Sequence, residues 1–110
     1  MSNKHASHKT PEISPEAFPA LSEFVRGYFH EDLVDDYGSP QGAARQFWLD
    51  ADPDQRQAVA NEWSRFLRQT KGQPVTEINQ FLTAKLGSAC LLTDADLKKV
   101  TTVLNSVEDF

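Results

Sequence analysis

Four carboxylates fall within six residues, at Glu31, Asp32, Asp35 and Asp36, with His30 directly before them and Tyr37 directly after. Side chains of these types offer three kinds of chemistry. Paired carboxylates move protons, a carboxylate–histidine cluster holds a metal ion, and a dense negative patch binds a basic partner. The metal signatures fail on spacing, while acid–base chemistry stays formally open. His30-Glu31 begins like a zinc-protease signature, but the second histidine of that motif would stand at position 34, which is Val34. The acids do not follow the alternating order and glycine of a calcium loop. A catalytic carboxylate needs burial or a neighbour that shifts its pKa, whereas a polar stretch with four of them points to solvated groups. Cys90 is the single cysteine and lies between Ala89 and Leu91, so it reads as a small buried hydrophobe. The five glycines are scattered and form no phosphate-cradling loop. The chain is expected to be no enzyme and to carry no metal or cofactor.

The third kind of chemistry is supported by where the charge sits. Residues 23–54 hold eight acids, Glu23, Glu31, Asp32, Asp35, Asp36, Asp50, Asp52 and Asp54, against Arg26 and Arg45, a net of −6. The whole chain carries −5, so everything outside this window sums to +1. Asp52 reads as a helix cap. The close set Glu31, Asp32, Asp35 and Asp36 repels itself and is best satisfied by a basic partner. These four residues and Tyr37 are the expected partner-binding residues, and Glu23, Asp50 and Asp54 are further candidates. For Tyr37, outside the apolar stripes, core and interface are equally open. Trp48 and Trp63 read as core.

The elements that must position these groups are helices. Leu21, Phe24, Val25, Tyr28 and Phe29 recur at helical spacing and make one apolar stripe, with Pro19 suited to the first turn. The helix runs into the acidic stretch, which reads as a polar loop with His30 at the helix end. Ser39-Pro40 opens the next helix, lined by Ala44, Phe47, Trp48 and Ala51, although Gly42 weakens it by about 1 kcal/mol relative to alanine. Asp52-Pro53-Asp54-Gln55 is a capping-box pattern, and the helix behind it carries Val59, Trp63, Phe66 and Leu67 and stops near Gly72. A fourth helix spans about 74–86 and stops at Gly87. The fifth starts at Thr93 and buries Leu97, Val100, Leu104 and Val107. No alternating run and no hairpin signal occurs. The expectation is an all-α fold, a compact single-domain bundle of about five short helices.

The chain has 110 residues, which suits one domain, and a pI near 5.0, which argues against direct binding to nucleic acid. Residues 1–16 read as a disordered tail without the apolar stretch of a secretory signal, and 17–110 as the helical domain. No apolar run approaches the roughly 18 residues of a membrane span. A cytoplasmic protein with no membrane partner is expected.

Tyr28-Phe29-His30-Glu31-Asp32, followed by the acidic patch, Tyr37-Gly38-Ser39 and an amphipathic helix, resembles the immunity proteins of bacterial contact-dependent growth inhibition systems. Leu86-Gly87 matches a Leu-Gly near the fourth helix of that family, and the likeness covers about residues 18–107. Glu31 and Leu33 depart from it, standing where glutamine and tryptophan are usual. The resemblance implies a helical domain of about a hundred residues that binds and neutralises a cognate toxin domain and catalyses nothing. Such toxin domains are often nucleases, including enzymes that cut tRNA. The residues alone leave two other readings open: a helical adaptor or regulatory subunit that binds a basic protein, and a small hydrolase built around His30. Whether the chain self-associates is not legible.

Overall fold

A computed structural model of the chain describes residues 12–106. Six helices follow one another in it: α1 (Pro19–Tyr28), α2 (Leu33–Tyr37), α3 (Pro40–Asp50), α4 (Pro53–Gln69), α5 (Val75–Gln80) and α6 (Asp94–Leu104). The π-helical turn Phe81–Lys85 continues α5 directly. No strand occurs among the described residues, so the all-α expectation holds. Five of the helices are those expected from the apolar stripes. The sixth, α2, occupies the acidic stretch that reads as a loop, because Leu33 is 1% exposed and fastens the turn to the core. Val107 lies outside the described residues, as do residues 1–11 of the expected tail. Ile13, also placed in that tail, is buried.

The helix starts are built from local chemistry. Ser39 Oγ accepts the Gly42 N–H at 3.0 Å. Asp52 and Gln55 exchange side-chain-to-backbone bonds at 2.8 and 3.0 Å, and Thr93 and Asp96 do the same at 3.0 Å in each direction. Helix α1 has no such cap of its own. Glu62 on α4 supplies one instead, its Oε1 accepting the Leu21 N–H at 2.8 Å. Arg65, one turn further along, donates to the Ala17 carbonyl at 2.8 Å and lies 4.1 Å over the Phe18 ring. Helix α4 therefore satisfies the N-terminal end of α1 as well as packing on it.

Phe18, Leu21, Phe24, Phe29, Trp63, Phe66, Leu82 and Val100 are all at most 2% exposed and form the centre of the core, with Trp48 at its edge. Two glycines have positional reasons. A Cβ on Gly42 would collide with the Tyr37 carbonyl, so the helical penalty of glycine is accepted where α3 passes the end of α2. Gly87 adopts φ +94°, and a Cβ there would come within 2.6 Å of the Arg26 side chain on α1. The connection that follows is pinned by polar bonds. Ser22 Oγ on α1 donates to the Leu86 carbonyl at 3.0 Å. Buried Asn79 donates to the Leu92 carbonyl at 2.7 Å and accepts the Leu92 N–H at 2.8 Å. Asn79→Ala strands both groups of Leu92 in the interior and should lower the unfolding free energy by about 3 kcal/mol. Urea denaturation reads this directly, and an unchanged midpoint would contradict it.

Candidate partner-binding site

The acidic stretch is positioned by the exit of α1. Phe29 closes that helix, donating its N–H to Val25 at 2.8 Å, and its ring is fully buried. The next two carbonyls are held by the connection after Gly87. Ala89 N–H donates to Phe29 O at 2.8 Å, and Cys90 Sγ donates to His30 O at 3.1 Å. Burial pushes the Cys90 thiol up, which keeps it protonated and able to donate. Leu33 N–H also reaches His30 O, at 3.0 Å, and begins α2.

His30 then orients the turn. Its Nδ1 accepts the Asp32 N–H at 3.1 Å, which assigns the ring proton to Nε2, and Nε2 faces Asp36 Oδ2 at 3.5 Å. Both ring nitrogens are thereby engaged within the turn. Glu31, Asp32, Asp35 and Asp36 are all exposed. Asp32, Asp35 and Asp36 stand at i, i+3 and i+4 around one helical turn, so they share a side of it, with Glu31 just before. Part of their charge is answered locally: Asp35 and Asp36 lie in the first turn of α2, where the helix dipole favours carboxylates. Among the described residues, Glu31, Asp32 and Asp35 have no ion-pair partner. No group of three or more His, Cys, Asp or Glu side chains among the described residues is arranged to hold a metal ion.

Tyr37 is half-buried at the edge of an aromatic row. Its ring lies 5.6 Å from His30 and 5.7 Å from Tyr28, and Tyr28 lies 5.7 Å from Phe47 in the core. Tyr28 links this corner to a second pair of acids. Its hydroxyl donates to Asp50 Oδ2 at 2.8 Å, and Gln46 Nε2 donates to Asp50 Oδ1 at 2.9 Å. Burial first, and then the Asp50 carboxylate, push the Tyr28 hydroxyl up to about 12. Asp50 and Glu23 both line an open groove of about 230 Å³ between α1, the end of α3 and the start of α4. Asp54 is exposed in the first turn of α4 and does not line this groove, and the carboxylate of Asp52 is engaged in its cap.

The structure thus brings Glu31, Asp32, Asp35, Asp36 and Tyr37 into one corner, sets Glu23 and Asp50 in a neighbouring groove, and leaves Asp54 apart. The sequence reading missed the groove and the part played by Tyr28, which looked like one more core aromatic. Its bond to Asp50 spans 22 residues, and no local pattern announces it.

The Tyr28–Asp50 bond has a pH signature. The folded-state pKa of about 12 lies above the ordinary value of about 10. The stabilisation is therefore complete below about pH 10 and is lost as the pH rises through about 12. In a Tyr37→Phe background, phenolate absorbance should titrate near 12, and Asp50→Asn should bring the midpoint down toward 10. The same midpoint in both proteins would contradict the bond.

Comparison with known protein families matches the CdiI immunity protein family over residues 17–87. The matched span runs from the start of α1 to Gly87 and takes in the acidic corner and the groove, with α6 beyond it. Comparison with curated proteins gives no match, and neither does comparison with solved structures. The match covers more than half of the chain and includes the Tyr-Phe-His helix exit and the Leu86-Gly87 stop: this chain belongs to the CdiI immunity protein family.

Proposed function

We propose that this immunity protein neutralises a nuclease toxin domain of contact-dependent growth inhibition by placing its acidic corner against the toxin's basic cleft. The observation that carries the reading is the placement of Glu31, Asp32, Asp35 and Asp36. They stand exposed on a single turn whose backbone is held from the interior side by Leu33, Ala89 and Cys90. A nuclease attracts phosphate, so its cleft is basic, and fixed carboxylates compete for the same site. Because the turn is pinned and the carboxylates are already solvent-facing, little ordering cost is left for the encounter. Tyr37 adds a flat, partly apolar contact at the rim of the charge, the kind of residue that anchors interfaces.

The protein acts in this reading by occupancy alone. His30 serves the turn with both nitrogens, and Cys90 serves it as a donor to a carbonyl, so neither is set up as a base or nucleophile. Action in the cytoplasm fits a chain in which no helix of the described residues is long and apolar enough to cross a membrane.

Long-range attraction sets the association rate more than the final affinity. Stopped-flow mixing with the toxin domain encoded beside this chain, in catalytically inactive form, tests the reading. The double change Asp32→Lys and Asp35→Lys should slow association by about tenfold or more at low salt and flatten its salt dependence. Unchanged association rates would discard the acidic-corner reading and leave membership of the immunity family intact.

A further inference from the structure

The groove between α1, the end of α3 and the start of α4 is chemically unlike the acidic corner. Phe24 and Phe47, core rings almost wholly buried, line it together with Ala20, Ala51, Ala58 and Val59, which makes its floor apolar. Its charged lining residues are Glu23 and Asp50, with no Lys or Arg among them. Glu23 is exposed and has no hydrogen-bond or ion-pair partner among the described residues. Asp50 accepts two hydrogen bonds, from Tyr28 and Gln46, which leaves further acceptor capacity on its two oxygens. Bound to Asp50 and tilted against Tyr37, Tyr28 forms the wall shared with the acidic corner.

Size and charge together select an occupant. About 230 Å³ is below the range of roughly 300–1,000 Å³ that holds a drug-sized molecule, and fits one or two protein side chains. An apolar floor under an acidic rim complements an apolar side chain with a cation next to it. We propose that the groove is the anchor site for the toxin domain: a protruding segment seats one large apolar side chain on Phe24 and Phe47, and a neighbouring Arg or Lys of that segment pairs with Glu23 and Asp50. This inference rests on the immunity reading above and assigns to the groove a separate role within it. The corner steers the encounter through exposed charge, and the groove holds the complex through buried apolar contact, so the first governs association and the second dissociation.

Two variants separate these roles. Ala58→Leu fills the groove from α4 at a position where leucine suits a helix, and Glu23→Lys reverses an exposed rim charge that has no internal partner to lose. With the inactive toxin domain encoded beside this chain as the probe, each variant should dissociate at least about tenfold faster, and Ala58→Leu should associate at the wild-type rate. Thermal unfolding of the free variants confirms that they fold, and Glu23→Lys carries the test alone if Ala58→Leu does not. Wild-type dissociation rates in the folded variants would overturn the groove proposal while the wild-type complex upholds the immunity reading. No complex with the wild-type chain would overturn both. A wild-type dimer in sedimentation that Ala58→Leu turns into a monomer would assign the groove to a second copy and overturn the proposal.

Discussion

Two carbonyls at the exit of α1 decide where the acidic turn stands. A helix end leaves backbone acceptors without partners, and here those of Phe29 and His30 are taken by the Ala89 N–H and the Cys90 thiol. Those donors stand in the right place because Gly87 turns the chain with a positive φ against Arg26, Ser22 holds the Leu86 carbonyl, and Asn79 clamps Leu92. Helix α5, its π-helical turn and the connection after it thus set the geometry of a surface feature some sixty residues earlier in the chain. In this chain Tyr28-Phe29-His30 is thus the helix exit, and Leu86-Gly87 begins the clasp around it.

The clasp matters because the turn it holds is electrostatically unfavourable. Four exposed carboxylates in six residues repel one another, and a free loop would spread them apart. Burial of Leu33, worth roughly 2 kcal/mol, the dipole of α2 and the His30 contacts with Asp32 and Asp36 hold them together instead. A patch kept concentrated at a local cost, on a pinned backbone, is suited to a basic partner that removes the repulsion on arrival. The aromatic row from Phe47 through Tyr28 to Tyr37 ties this patch to the core and to the neighbouring groove, so the two candidate contact surfaces share one wall.

The fold was largely legible where its causes are local. Ser39, Asp52 and Thr93 announce helix starts because a cap acts over three residues, and the apolar stripes of α1, α4 and α6 are read directly from their spacing. Helix α2 was not legible, since its five residues hold two aspartates and an exposed Val34, and only Leu33 is fully buried. Glu62 capping α1, Arg65 on the Ala17 carbonyl and Asn79 on Leu92 were also beyond reach, because side-chain-to-backbone bonds over long separations leave no periodic trace. The penalty of Gly42 was legible but its reason, the Tyr37 carbonyl, was not. The acidic corner could be named from charge density alone. The groove could not, because it exists only where three helices meet. The family likeness was carried by the helix exit and the Leu-Gly stop. The matched span ends at Gly87, short of α6, which the likeness read from the residues takes in as far as 107.

On the proposed reading, the corner formed by the end of α1 and by α2 meets the toxin domain. Hydrogen–deuterium exchange of the chain, alone and in complex with the inactive toxin domain, tests it most directly. Slowed exchange across residues 28–39, with the outer face of α6 unchanged, is the expected result. Protection confined to α6, with residues 28–39 exchanging as in the free protein, would contradict it.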